Sequence, residues 1–104
     1  MEELEQKTIE ATLQDEALAL IFVHSPFCGT CHLARQMLTT IEATFGQEIF
    51  WEFNASLHPD LMKKYQIESV PCLLVTEKSR LIEKVYAFHS VTNMYEKVSN
   101  YVKE

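Results

Sequence analysis

Cys28 and Cys31 stand three residues apart in the run Phe27-Cys28-Gly29-Thr30-Cys31. Two thiols at that spacing can trade electrons as a dithiol and disulfide, or hold a metal as thiolates. Because His32 follows directly, they also spell C-x-x-C-H, in which thioethers carry haem and the histidine ligates iron. The neighbouring residues discriminate among these chemistries. A structural zinc site needs a second ligand pair, and no further C-x-x-C or H-x-x-x-H spacing follows. Haem attachment belongs to exported proteins that are helical around the motif, whereas here the apolar run Leu18-Ala19-Leu20-Ile21-Phe22-Val23 feeds directly into it. A thiol pair at the tip of a buried strand and the start of a helix is placed for redox exchange.

The elements that hold the pair follow from the hydrophobic pattern. Glu2 to about Gln14 reads as an acidic amphipathic helix with Leu4, Ile9 and Leu13 inward. Leu18–His24 is too continuously apolar for a strand with one wet face, so it belongs in the middle of a sheet covered on both sides. Leu33, Met37, Leu38, Ile41 and Phe45 recur at helical spacing after the cysteines, and Gly46 supplies a left-handed stop. Ile49–Asn54 reads as a second strand. Pro59 and Asp60 suit the first turn of a short helix carrying Leu61 and Tyr65. Cys72–Thr76 and Leu81–Tyr86 form two strands joined by the polar linker Glu77-Lys78-Ser79-Arg80. Ser90 or Thr92 caps a last helix with Val91, Met94, Val98 and Tyr101 inward. Strands interleaved with helices predict an α/β fold with helices on both faces of one sheet.

In this frame the two thiols divide their work. Cys28, at the first helical turn, faces unpaired backbone N–H groups and the positive end of the helix dipole. Both favour a thiolate, and such sites lower a cysteine pKa from about 8.5 into the range of roughly 3.5–7.5. Cys28 is therefore the attacking thiolate. Cys31, one turn later and less exposed, is the resolving thiol. Gly29 admits a partner's backbone and tolerates a tight strand-to-helix turn.

A second constellation, Ser69-Val70-Pro71-Cys72, puts a proline at the mouth of a buried strand, where it has no ladder bond to donate. This proline lies about 40 residues beyond Cys31, with the appropriate elements between them. Together these features resemble the thioredoxin family, from about Leu18 to Val102. The resemblance implies a thioredoxin fold: a mixed sheet of four strands, or five with an added first strand, flanked by helices. It implies Cys28 as nucleophile, Cys31 as resolving cysteine and Pro71 as a cis-proline beside them. It also implies that the Val70 backbone pairs with substrate as an added strand, with Phe27, Gly29 and Thr30 as further contacts.

Four positions depart from the family pattern. Thr30 stands where thioredoxins carry proline, so thiolate stability and redox potential should differ. We expect a potential more oxidising than thioredoxin's, within a family range of roughly −270 to −120 mV. Phe27 replaces the usual tryptophan, keeping a flat apolar contact without an indole donor. Phe22 occupies the position of the family's buried acid, and Glu52 that of a lysine on the next strand. Glu52 is therefore a candidate general base for Cys31, its alternative being a solvated strand residue. Cys72 follows the proline directly, as a small buried hydrophobe or as a third thiol close enough to join a metal site or a disulfide. Ala87-Phe88 lacks the family's glycine and would narrow the substrate groove. His24, at the strand end, reads as a structural histidine, and His32 as a first-turn residue partly in solvent.

The 104 residues suffice for one domain with a real core, spanning 1–104. A net charge of −6 argues against nucleic acid or an anionic membrane as the main partner. No apolar run approaches the roughly 18 residues of a membrane span. Met1–Gln6 lacks the basic start and apolar stretch of a signal peptide, so the expected location is the cytoplasm. Three cysteines form no closed disulfide framework, and in a reducing compartment such thiols are catalytic, redox-sensing or metal-binding. The expected protein is a monomeric thiol-disulfide oxidoreductase without a tightly bound cofactor. It would act on protein disulfides and be recharged by an upstream thiol reductant. A metal or iron–sulfur carrier using Cys28, Cys31 and Cys72 is one alternative, and a low-turnover redox sensor or adaptor another.

Overall fold

The computed structural model describes residues 1–102; Lys103 and Glu104, the end of the span read as one domain, lie outside them. Its centre is the strand β2 (Ala19–His24), whose first five residues are buried. Around it lie β1 (Glu2–Glu3), β3 (Phe50–Asn54), β4 (Cys72–Glu77) and β5 (Arg80–Val85), in the order β1-β3-β2-β4-β5. The pairs β1/β3 and β3/β2 are parallel, while β2/β4 and β4/β5 are antiparallel.

The sheet thus has five strands, not four. The acidic stretch read as one helix from Glu2 begins as the edge strand β1, where Leu4 N–H donates to the Glu52 carbonyl at 2.8 Å. Helix α1 starts only at Ile9 and runs to Asp15. Leu4, Ile9 and Leu13 are all buried nonetheless, the first through the strand and the others through the helix.

Side chains alternate across the sheet and separate two cores. On one face Ala19, Ile21 and Val23 meet Leu4, Ile9 and Leu13, together with Leu61 and Tyr65 of and just after α3 (Pro59–Lys64). On the other face Leu20 and Phe22 meet Cys31, Ala34, Leu38 and Ile41 of α2 (Gly29–Phe45), and Met94 and Val98 of α4 (Val91–Tyr101). The continuous apolar run of β2 is thereby covered on both sides.

The helix ends obey local rules. Gly46 adopts φ 73°, and its N–H closes α2 on the carbonyls of Glu42 and Ala43. Pro59 sits in the first turn of α3, and Ser90 caps α4 by accepting from Asn93 N–H at 3.0 Å. Between β4 and β5 only Lys78 and Ser79 form the turn, both with positive φ, as a tight two-residue hairpin requires. The inward stripe of α2 is Cys31, Ala34, Leu38 and Ile41, and Leu33 is 57% exposed beside the thiol pair. Val91 likewise lies on the outside of α4.

Candidate active site

Strand β2 ends at His24, and four residues later Cys28 forms the N-cap of α2. Cys28 and Cys31 are joined as a disulfide with their Cα atoms 5.3 Å apart. The two ends of the pair differ in access. Cys31 is 5% exposed and packs into the α2 core, whereas Cys28 is half-buried at the surface. Cys28 Sγ accepts the Cys31 backbone N–H at 3.2 Å. The Thr30 hydroxyl lies 3.4 Å from the same sulfur and is a second donor to it. Donors aimed at this atom favour its charged form once the disulfide opens.

The Val70–Pro71 peptide bond is cis, and the Val70 carbonyl lies 3.7 Å from Cys28 Sγ. The second constellation and the thiol pair therefore meet in space. Phe27, 94% exposed, stands beside them as an apolar surface. Gly29 is exposed, and a Cβ there would meet no atom within 4 Å. Its backbone is not left-handed, so the turn does not require glycine, and open space for an approaching chain is what the position offers.

Cys72 takes a different direction. It is fully buried among Leu4, Ile21, Val23 and Leu74, in the core on the α1/α3 side, while Cys31 lies in the core on the α2 side. The sheet stands between them, because alternation along β4 turns the residue after Pro71 away from the motif. Burial pushes the Cys72 thiol up to about 12, far from thiolate chemistry near neutrality. The third-thiol reading is thus corrected: Cys72 is a core residue. Among the described residues no three His, Cys, Asp or Glu side chains converge on a possible metal position.

Glu52 is adjacent to Phe22 in the strand register, on the α2 face of the sheet. Its carboxylate is engaged by two other side chains. One oxygen, Oε1, is 2.6 Å from Arg35 Nη2 and 3.2 Å from His24 Nε2. The Arg35 guanidinium lies over the Phe22 ring, 5.3 Å from its centroid, and the His24 ring stacks on Phe22 at 5.4 Å. Phe88, in the glycine-free loop, is half-buried and meets the edge of the Phe22 ring at 6.4 Å.

Arg35 is a site residue that sequence reasoning missed, and His24, read there as a structural histidine, is a second. Each carried a signal: Arg35 falls one turn beyond Cys31 on the same helix, and His24 two residues beyond Phe22 on the same strand face. Both line a shallow cleft of about 210 Å³ together with Ser25, Pro26, Cys28, Cys31 and His32. His32 is exposed at its rim.

The comparisons agree with this geometry. The thioredoxin family model matches residues 1–100. The thioredoxin-like protein YusE of Bacillus subtilis is 40% identical over 96 residues, 92% of this chain and 89% of that protein. Thioredoxin of Chlamydia caviae is 25% identical over 68 residues, 65% of this chain and 67% of its own. Among solved structures, oxidised thioredoxin from Plasmodium falciparum superposes with a TM-score of 0.81 over 99% of both chains at 12% identity. A parallel-antiparallel sheet that presents a Cys-x-x-Cys pair at a helix start, and sequence kinship along nearly its whole length, place this chain in the thioredoxin family, as a thiol-disulfide oxidoreductase.

Proposed function

We propose that this chain reduces disulfides in protein partners, with Cys28 as the attacking thiolate and Cys31 as the resolving thiol. The observation that carries this reading is the asymmetry of the pair: Cys28 is accessible and supplied with donors from Cys31 N–H and Thr30, while Cys31 is shielded. Cys28 attacks one sulfur of the partner's disulfide and forms a mixed disulfide, releasing the other sulfur as a thiol. Cys31 then displaces the partner from Cys28, leaving the Cys28–Cys31 disulfide. An upstream thiol reductant returns the pair to its dithiol form.

Phe27, Gly29, Thr30, Val70 and Pro71 make the docking surface. The exposed ring of Phe27 supplies apolar contact, and the Val70 backbone beside Cys28 Sγ can pair with an extended partner segment. The protein works as a monomeric single domain in a reducing cytoplasm, where such a pair is kept available as a reductant. No helix of the described residues is long and apolar enough to cross a membrane.

Reduction of insulin disulfides with dithiothreitol as the terminal reductant tests the proposal. Wild-type protein should accelerate precipitation of the freed chains, Cys28→Ser should abolish the acceleration, and Cys31→Ser should accumulate a covalent adduct with the partner. Wild-type protein no faster than dithiothreitol alone would overturn it.

A further inference from the structure

The resolving step requires that Cys31 lose a proton, and the position occupied by the family's buried acid holds Phe22, which accepts none. The cleft beside Cys31 contains a different acceptor. His24 and Cys31 both line the cleft of about 210 Å³, which is roomy enough for water to bridge them. Its ring is held from two sides: Nε2 lies 3.2 Å from Glu52 Oε1, and the ring plane stacks on Phe22. Because an ionised carboxylate only accepts hydrogen bonds, the neutral imidazole donates Nε2–H to Glu52 and leaves Nδ1 as its basic nitrogen.

We propose that His24 is the proton carrier of the resolving step, taking the Cys31 proton into the cleft, and that Glu52 is a positioning residue that fixes the ring. The inference rests on the dithiol-exchange reading above. In the mixed disulfide, neutral His24 accepts the proton of the Cys31 thiol. The Cys31 thiolate attacks Cys28 Sγ and forms the Cys28–Cys31 bond. The electron pair of the bond between Cys28 and the partner leaves on the partner's sulfur, and the imidazolium returns the proton to that sulfur. His24 ends as it began, and a partner thiol is released.

The surrounding charges suit this task. The charged groups that act on His24 are Arg35 of α2, Glu52 of β3 and Glu3 of β1, with His32 at the rim of the cleft. Burial first, then the Arg35 cation, lowers the His24 pKa below 6.5, while Glu52 and Glu3 pull it back up. The ring is therefore mainly neutral, and so basic, at pH 7. Arg35 also holds Oε1 of Glu52 from the helix side, which keeps the carboxylate beside the histidine.

The test is a single-turnover reaction of the reduced protein with 5,5′-dithiobis(2-nitrobenzoate) between pH 5 and 9. Attack by Cys28 releases a first coloured thiolate, and attack by Cys31 on the mixed disulfide releases a second. This leaving group needs no proton, so the second phase reports deprotonation of Cys31. In wild-type protein the second phase should be level around neutrality and lose rate toward the acid end of the range, below the ordinary imidazole value. In His24→Phe, which keeps a ring to stack on Phe22, the second phase should slow at least tenfold at pH 7 and lose the plateau above the acid limb, rising instead with pH across the whole range as the free Cys31 thiolate does, with the first phase retained. His24→Gln should behave alike, so that misfolding of one variant leaves the other to decide. Glu52→Gln should keep an acid limb but move it to lower pH, since a raising influence on His24 is gone. Second phases in both His24 variants with wild-type rate and pH profile would overturn the inference. A missing first phase in wild-type protein would instead overturn the exchange reading on which it rests.

Discussion

Phe22 and Glu52 are register partners on the parallel strands β2 and β3, and Arg35 touches both. Its guanidinium covers the Phe22 ring while one of its nitrogens holds the Glu52 carboxylate at 2.6 Å. An apolar residue in the family's acid position is thus part of a built arrangement: the phenyl ring is the floor on which the arginine and His24 rest, and the charge sits one strand away. The arrangement keeps an ionisable group close to Cys31 without burying an unpaired carboxylate in the sheet, which would cost several kcal/mol.

Restoring the acid should therefore fail. Phe22→Asp removes a fully buried ring and leaves a carboxylate among Leu38, Ile41 and Met94. Loss of the ring alone costs about 3–5 kcal/mol, and the buried charge adds to it. The expected outcome is a variant unfolded, or nearly so, in urea titration at concentrations the wild type tolerates. A variant of wild-type stability would contradict the packing role of Phe22.

Thr30 sets part of the redox potential through its hydroxyl. Thr30→Val keeps the shape and removes the donor 3.4 Å from Cys28 Sγ. Less stabilisation of the thiolate raises the Cys28 pKa and disfavours the reduced form. With about 1.5 kcal/mol for such a bond to a charged group, the potential should become more reducing by roughly 30 mV. Equilibration with glutathione redox buffers measures the shift, and a move toward more oxidising values would refute the assignment.

Cys72 should be inert in the native protein. Iodoacetamide at pH 8 should label the accessible Cys28 of the reduced, folded chain, and Cys72 only after denaturation. Its folded pKa of about 12 exceeds its ordinary 9.0, so its contribution to stability is complete below pH 9 and is lost as pH rises from there through 12. Denaturant midpoints of Cys72→Ala should accordingly fall less steeply than those of wild type across the alkaline range. Equal slopes would show that this thiol does not carry the dependence.

Glu42 ties the end of α2 to the start of β3. The carboxylate is 9% exposed and accepts the backbone N–H groups of Ile49 at 2.9 Å and Phe50 at 3.0 Å, and it also pairs with the Met1 amino group at 3.2 Å. Glu42→Ala leaves buried donors without a partner, at about 2–3 kcal/mol. Urea unfolding should show that loss, with insulin reduction unchanged in conditions where the variant stays folded.

Most of the fold was legible because its strongest signals are local. The apolar run Leu18–Val23 that makes β2, the helical spacing of α2, the stop at Gly46 and the helix starts at Pro59 and Ser90 each state their element within a few positions. The strand β1 was not legible. Two glutamates carry no strand pattern, and Glu2-Glu3 becomes a strand only because the open edge of β3 offers backbone groups to pair with. Leu33 was misplaced for a related reason: helical spacing names candidates for the inner stripe, but which side of α2 meets the sheet depends on how the helix docks.

The cysteine motif, its place between a buried strand and a helix, and the downstream Val70-Pro71 were determined by sequence alone, because residue type and spacing encode them. The tertiary structure decided which side chains share a space. Strand alternation sent Cys72 to the core opposite the one that α2 fills with Cys31, and it set Phe22, Glu52 and His24 on a single face. Helix α2 then brought Arg35 over that face. Residues far apart in the chain carry no mark of which neighbour they will meet. That meeting is fixed by register and docking, and it made Glu52 the partner of Arg35 and His24.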